Sequence, residues 1–160
     1  MKDFISMLVL TALTYLVIAI ASRVVLAEGS IRIPTERSPS YQTECGSCHL
    51  AYPPGLLPAQ SWSTIMSSLS KHYGADASLD PKDTQAISAW LTQYAGTYKR
   101  VAEAPPENRI TQSYWFKKKH RKVKAGDFGK PSVKSAANCN ACHRQAEQGN
   151  FDDDDVQIPR

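Results

Sequence analysis

The sequence predicts a mainly α fold: two small helical units in series, each wrapped around something other than an ordinary hydrophobic core. Three observations carry this. Apolar residues recur at helical spacing over 62–73 and again over 87–94. From Glu28 onward Leu, Ile, Val and Phe number only 19 among 133 residues, about 14% and below the range in which chains build a packed core. All four cysteines fall in two copies of one short pattern, at 45–49 and 139–143. Scarce aliphatics with a high net charge would mean disorder, but residues 28–160 carry 17 basic and 14 acidic side chains, and the chain has three Trp. The composition excludes a large enzyme barrel and a multi-span membrane protein.

The first element is apolar. Phe4 to Ser22 runs without a charge, between Lys2 and Arg23, and Val25 and Ala27 suit a cleavage site before Glu28. Nineteen residues exceed the roughly 7–15 of an ordinary export signal, and Asp3 cancels Lys2. As a helix they would span about 29 Å, close to a bilayer's hydrocarbon thickness. Residues 1–27 therefore read as a signal peptide or as an uncleaved anchor. Either places the rest of the chain outside the cytoplasm, in the periplasm or tethered at its membrane face.

Residues 45–49 read C-G-S-C-H and residues 139–143 read C-N-A-C-H. An exported chain with four cysteines can carry two disulfides, two CxxC pairs can hold zinc, and one can serve as a redox dithiol. None of these explains a histidine after each second cysteine in a chain with four histidines in all. C-x-x-C-H is the attachment signature of c-type haem. Two thiols on one turn bond the two vinyl groups, and the next imidazole reaches the iron. Cys45, Cys48, Cys139 and Cys142 are thus the covalent attachment points of two haem c groups, with His49 and His143 as axial ligands. The haems supply the missing apolar mass, as metals and disulfides do for other small folds.

Two axial positions remain, and so do two histidines, His72 and His120. Taken alone, each could be a surface histidine, and the surroundings favour the ligand reading. Trp62, Ile65, Met66, Leu69 and Tyr73 form one helical stripe, with His72 at its edge and Gly74 as the stop. Met66, the one methionine after residue 27, competes as a ligand but sits mid-stripe, where packing is its usual use.

The remaining elements follow from local signals. Residues 28–44 read as an irregular lead-in, and the first haem motif as the opening of a short helix. Residues 51–58, with three prolines, form a turn-rich loop. Asp80-Pro81 starts a helix whose face is Ile87, Trp90, Leu91 and Tyr94 and which Gly96 ends. The units are then 28–96 and 110–160, joined by a linker at 97–109 containing Pro105-Pro106. Ile110–His120 reads as a short helix presenting Tyr114, Trp115 and Phe116. Asn138 is expected to cap a helix running from Cys139 to Gln148, ended by Gly149.

Residues 117–134 hold eight Lys or Arg against one acid, Asp127, and four aspartates follow at 152–155. A basic run suits nucleic acid, a ligand an exported haem protein rarely meets. The open alternatives are a solvated face balanced by the acidic segment and a docking patch that steers an acidic redox partner.

With these motifs placed, the chain resembles the bacterial dihaem cytochrome c family, the small periplasmic DHC type, over about residues 41–160. The resemblance rests on C-G-S-C-H-x-A-Y-P-P-G-L-L-P, on W-x-x-I-M followed by H-Y-G-A-x-A-S-L-D, on R-I-T with W-F and K-H, and on N-C-N-A-C-H-R-Q-A-E-Q-G-N-F-D. It implies a class I cytochrome c-like haem domain followed by a second small helical or irregular haem domain. It also implies bis-histidine ligation of both irons, His49 with His72 and His143 with His120. The implied partners are a small oxygen-binding high-spin cytochrome c and a membrane b-type cytochrome.

Electron transfer is the function this favours, not catalysis, because four histidines in four axial sites leave no open iron position. The alternatives are a small dihaem subunit of a periplasmic reductase complex and a haem enzyme with one five-coordinate iron.

Overall fold

The computed structural model describes residues 33–159, and among these every regular element is an α-helix or a 3₁₀ turn. The described residues belong to one unit. The apolar segment at 1–27 lies outside them. No helix among the described residues is long and apolar enough to cross a membrane.

Helix α1 spans Pro39–Gly46. The Ser38 hydroxyl accepts from the Tyr41 amide at 3.3 Å, and Pro39 fits the first turn, where its missing N–H costs nothing. This corrects two expectations. The lead-in is helical from Pro39, and the first cysteine motif closes a helix where it was expected to open one. Cys45 rides on the last turn of α1, and Cys48 and His49 follow in the turn beyond.

Helix α2 spans Ala59–Met66. The stripe expected to continue through Tyr73 breaks here. Ser67 and Ser68 both turn their hydroxyls onto the Thr64 carbonyl at 2.9 Å, competing with helix continuation. A 3₁₀ turn at Leu69–Lys71 follows. His72 sits just past it, Tyr73 takes φ +51° and is 42% exposed, and Gly74 takes φ +101°.

Helix α3 spans Pro81–Gln93 and begins as expected, with the Asp80 carboxylate accepting from the amides of Lys82 at 2.8 Å and Asp83 at 3.0 Å. Tyr94, not Gly96, caps it. Gly96 serves packing instead: its amide donates to Leu57 at 2.9 Å, and a Cβ there would meet the Gly55 carbonyl oxygen at 2.6 Å.

Tyr41, Leu57, Trp62, Met66, Ile87 and Leu91 form the core where α1, α2, α3 and the 51–58 loop meet. Each fully buried aliphatic there contributes roughly 1.5–3 kcal/mol relative to exposure. The loop is itself buried, and the Trp62 indole N–H donates to the Pro54 carbonyl at 2.7 Å. Along 97–109, Val101 and Pro105 are buried and the Tyr98 hydroxyl donates to the Gly55 carbonyl at 2.7 Å.

Beyond residue 110 the architecture thins. Helix α4 spans Tyr114–Lys119 and helix α5 spans Ala125–Phe128. The buried hydrophobic side chains in this part are Phe116, Val133 and Ala146. The helix expected over Cys139–Gln148 is replaced by two 3₁₀ turns, Cys139–Ala141 and Ala146–Gln148. Asn138 does not cap: its side-chain amide donates to the Val133 carbonyl at 2.9 Å. Gly149 does end the second turn, in the left-handed region at φ +83°.

Candidate functional site

The structure brings the four histidines together as two pairs. His49 and His72 have ring centroids 6.1 Å apart and planes inclined by 19°. His120 and His143 have centroids 6.2 Å apart and planes inclined by 79°. Two imidazoles on opposite sides of one metal, each with its nitrogen about 2.0 Å away, put their centroids about 6.3 Å apart. An aromatic contact would tie separation to inclination. A shared metal axis fixes the separation and leaves rotation free, which is the pattern seen. The residues fit an iron held between imidazoles.

Each pair has one ring whose tautomer is set. The carbonyl of Leu50 lies 2.7 Å from His49 Nδ1, and that of Phe116 lies 2.9 Å from His120 Nδ1. A carbonyl only accepts, so Nδ1 carries the proton in both. The bare Nε2 is left for metal, the usual arrangement for a ligating histidine.

The partner rings are placed by different means. His72 is held by the turn, its amide donating to Leu69 at 3.2 Å, and by Tyr73 beside it. Tyr73 is anchored from the 107–109 segment: its hydroxyl donates to the Glu107 carbonyl at 2.9 Å, and the Arg109 guanidinium lies 4.2 Å over its ring. His143 is set by a single helical turn, its amide donating to Cys139 at 2.8 Å. Burial, and then the neighbouring imidazole of each pair, lowers the pKa of His72 and of His143, favouring neutral rings able to ligate.

The cysteines adjoin these pairs in the chain, and no disulfide joins any two of them. Cys48 is exposed, and Cys45, Cys139 and Cys142 are half-buried. Among the described residues no three His, Cys, Asp or Glu side chains converge on one metal-sized position, so the two CxxC pairs do not assemble a zinc site. Met66 is 5% exposed within the core.

Tyr52, Phe128 and Phe151 were not singled out as site residues by the sequence, whereas Phe116 was singled out on α4. The Tyr52 ring stacks on His49 at 4.9 Å. Phe116 stacks on His120 at 4.0 Å, Phe128 lies 6.3 Å from the same ring, and Phe151 lies 5.3 Å from His143. The second site is thus walled by three phenylalanines where aliphatics are few. Of the aromatics expected on α4, Phe116 is buried against the site and Tyr114 points to solvent, 78% exposed. Lys117, Lys118 and Lys122 are exposed and pair with no carboxylate among the described residues; Lys119 approaches Asp153 at 3.8 Å.

Residues 41–151 match the family model for dihaem cytochrome c. The fold is similar to that of a diheme cytochrome c from Shewanella baltica OS155, at TM-score 0.67 and 40% identity, covering 76% of this chain and 92% of that one. It is also similar to DHC from Rhodobacter sphaeroides, at TM-score 0.63 and 38% identity, covering 75% of this chain and 100% of that one. No curated protein matches the chain. With the cysteine motifs in place, the match across 41–151 leaves one conclusion: the chain belongs to the dihaem cytochrome c family, carries two covalently attached haem c groups, and its chemistry is electron transfer.

Proposed function

We propose that the protein is a non-enzymatic electron carrier acting outside the cytoplasm, with His49 and His72 on the iron attached at Cys45/Cys48, and His143 and His120 on the iron attached at Cys139/Cys142. The observation that carries this is the equal span of the two imidazole pairs, 6.1 and 6.2 Å. With both axial positions of both irons taken, no site is left for oxygen, peroxide or nitrite to bind. Haem supplies a reversible one-electron couple, and the chain's task is to hold the imidazoles and keep small ligands away. Two nitrogen ligands without methionine keep both potentials low.

The acceptor we propose is a small high-spin cytochrome c with an acidic face, supplied in turn by a membrane b-type cytochrome. Support comes from the family resemblance and from the unpaired lysines on α4, which ends at His120. Export is supported by the apolar segment at 4–22 and by haem attachment itself, which takes place outside the cytoplasm.

Carbon monoxide added to the reduced protein tests the reading. Six-coordinate irons bind it poorly, whereas rapid stoichiometric binding would mean an enzyme or sensor. His120→Met should raise the potential of the haem at 139–143 alone, and His72→Met that of the haem at 45–49 alone. A shift in the other haem would overturn the ligand assignment.

A further inference from the structure

His72 and His120 are the two ligands the chain can withdraw, since His49 and His143 each follow a cysteine that ties them to a haem. The chain holds the two differently. His120 caps α4, the Phe116 carbonyl lies 2.9 Å from its Nδ1, and its ring stacks at 4.0 Å on Phe116, which is buried. The His72 ring takes no hydrogen bond from the described residues; the rings beside it are His49 and Tyr73.

Backbone strain gathers at the same place. Tyr73 takes φ +51°, and Glu107 and Asn108 each take φ +55°, a region that residues other than glycine rarely enter. The two strained segments are tied to one another. The Tyr73 hydroxyl donates to the Glu107 carbonyl at 2.9 Å, the Arg109 guanidinium lies 4.2 Å over the Tyr73 ring, and Arg109 Nε donates to the Glu107 carboxylate at 2.8 Å. Pro105 is buried and its carbonyl accepts from the Asn108 amide at 2.9 Å, which anchors this turn to the fold. Strain of this kind persists only where surrounding contacts enforce it.

We propose that Tyr73 and Arg109 are the positioning residues that keep His72 on the first iron, so that the first haem, and not the second, admits a diatomic gas when this latch opens. His72 then leaves as a neutral ring with its electron pair, the gas donates a pair of its own in that place, and no oxidation state changes. The latch stands at the surface, with the Arg109 side chain 40% exposed and that of Glu107 71% exposed. An ion pair so exposed holds weakly, and it yields before the buried Phe116 contacts that hold His120.

This inference rests on the carrier reading, and its test separates the two. Reduced holoprotein, Arg109→Gln and Tyr73→Phe are mixed with saturating carbon monoxide in a stopped-flow cell, where the limiting rate is that of imidazole release. Proton NMR of the same samples shows which histidine has left, because the haem ring current shifts the protons of a bound imidazole strongly upfield. Arg109→Gln removes the cation, Tyr73→Phe removes the hydroxyl bond, and each should raise the limiting rate severalfold. The shifted His72 signals should disappear while those of His120 remain. Should Arg109→Gln not fold, Tyr73→Phe decides alone. An unchanged limiting rate in either folded variant overturns the proposal, and so does equal acceleration at both haems, which would mean general loosening. A parent protein without shifted His72 signals before the gas is added would instead overturn the ligand assignment on which the carrier reading stands.

Discussion

His120 and His143 meet nearly at right angles, with 79° between their planes, whereas the equally spaced pair His49 and His72 lies within 19° of parallel. Axial imidazole planes orient the iron d orbitals, so ligand geometry is one of the protein's means of tuning a haem. Parallel planes separate two of those orbitals in energy, and perpendicular planes leave them close. Low-temperature EPR of the oxidised protein should therefore show two low-spin signals, one rhombic and one dominated by a single feature at larger g. His120→Met should remove the large-g signal and spare the rhombic one. Two identical rhombic signals would contradict the perpendicular pair.

Ser113 holds α4 at its start. Its hydroxyl accepts from the Phe116 amide at 3.2 Å and donates to the Ile110 carbonyl at 2.7 Å, and the residue is 6% exposed. Replacing it with alanine loses an N-cap, at a cost of about 1 kcal/mol. Because the Phe116 carbonyl orients His120, Ser113→Ala should also shift the potential of the second haem more than that of the first. Chemical denaturation and spectroelectrochemistry on one preparation check both.

Gly96→Ala should destabilise the first haem region. The added methyl would press on the Gly55 backbone carbonyl, which has no rotamer to yield, and on the Val101 side chain. Overpacking of this kind typically costs about 1–3 kcal/mol. The expected result is a lower thermal midpoint with both haems still attached. An unchanged midpoint would mean the 55–57 loop moves aside freely.

If the lysines of α4 guide an acidic acceptor, electron transfer to it should slow as salt rises, because screening shortens to about 10 Å at 0.1 M. Replacing Lys117, Lys118 and Lys119 with Glu should lower the second-order rate far more than it moves either potential. A rate indifferent to salt and to the charge reversal would make the basic run a solvated face.

The parts of the fold legible in the sequence are those set by neighbours in the chain. Asp80-Pro81 starts α3 because the cap is two and three residues from the amides it serves. The cysteine motifs announce their chemistry because a vinyl pair requires two thiols on one turn. The start of α1 is legible in Ser38-Pro39, a capping hydroxyl followed by a proline in the first turn. The end of α2 was harder to see. Its hydrophobic period runs on past Met66, and two serine hydroxyls on Thr64 decide against it. Asn138 fails to cap for a similar reason, its side-chain amide donating to the Val133 carbonyl. Tyr52 is not legible as a site residue, since nothing beside it in the chain marks its ring for stacking on His49.

The unequal cores of the two regions carry a consequence for how the protein is made. Tyr41, Leu57, Trp62, Met66, Ile87 and Leu91 pack against one another, so the earlier part of the chain has apolar contacts of its own on which to collapse. After residue 110 the buried hydrophobic side chains are Phe116, Val133 and Ala146. That is too little to offset the ordering of some fifty residues. There, folding and cofactor attachment must be a single event. A molecule that missed its second haem would present proteases with a loose carboxy-terminal third, so quality control would fall on the last cysteine pair to be loaded.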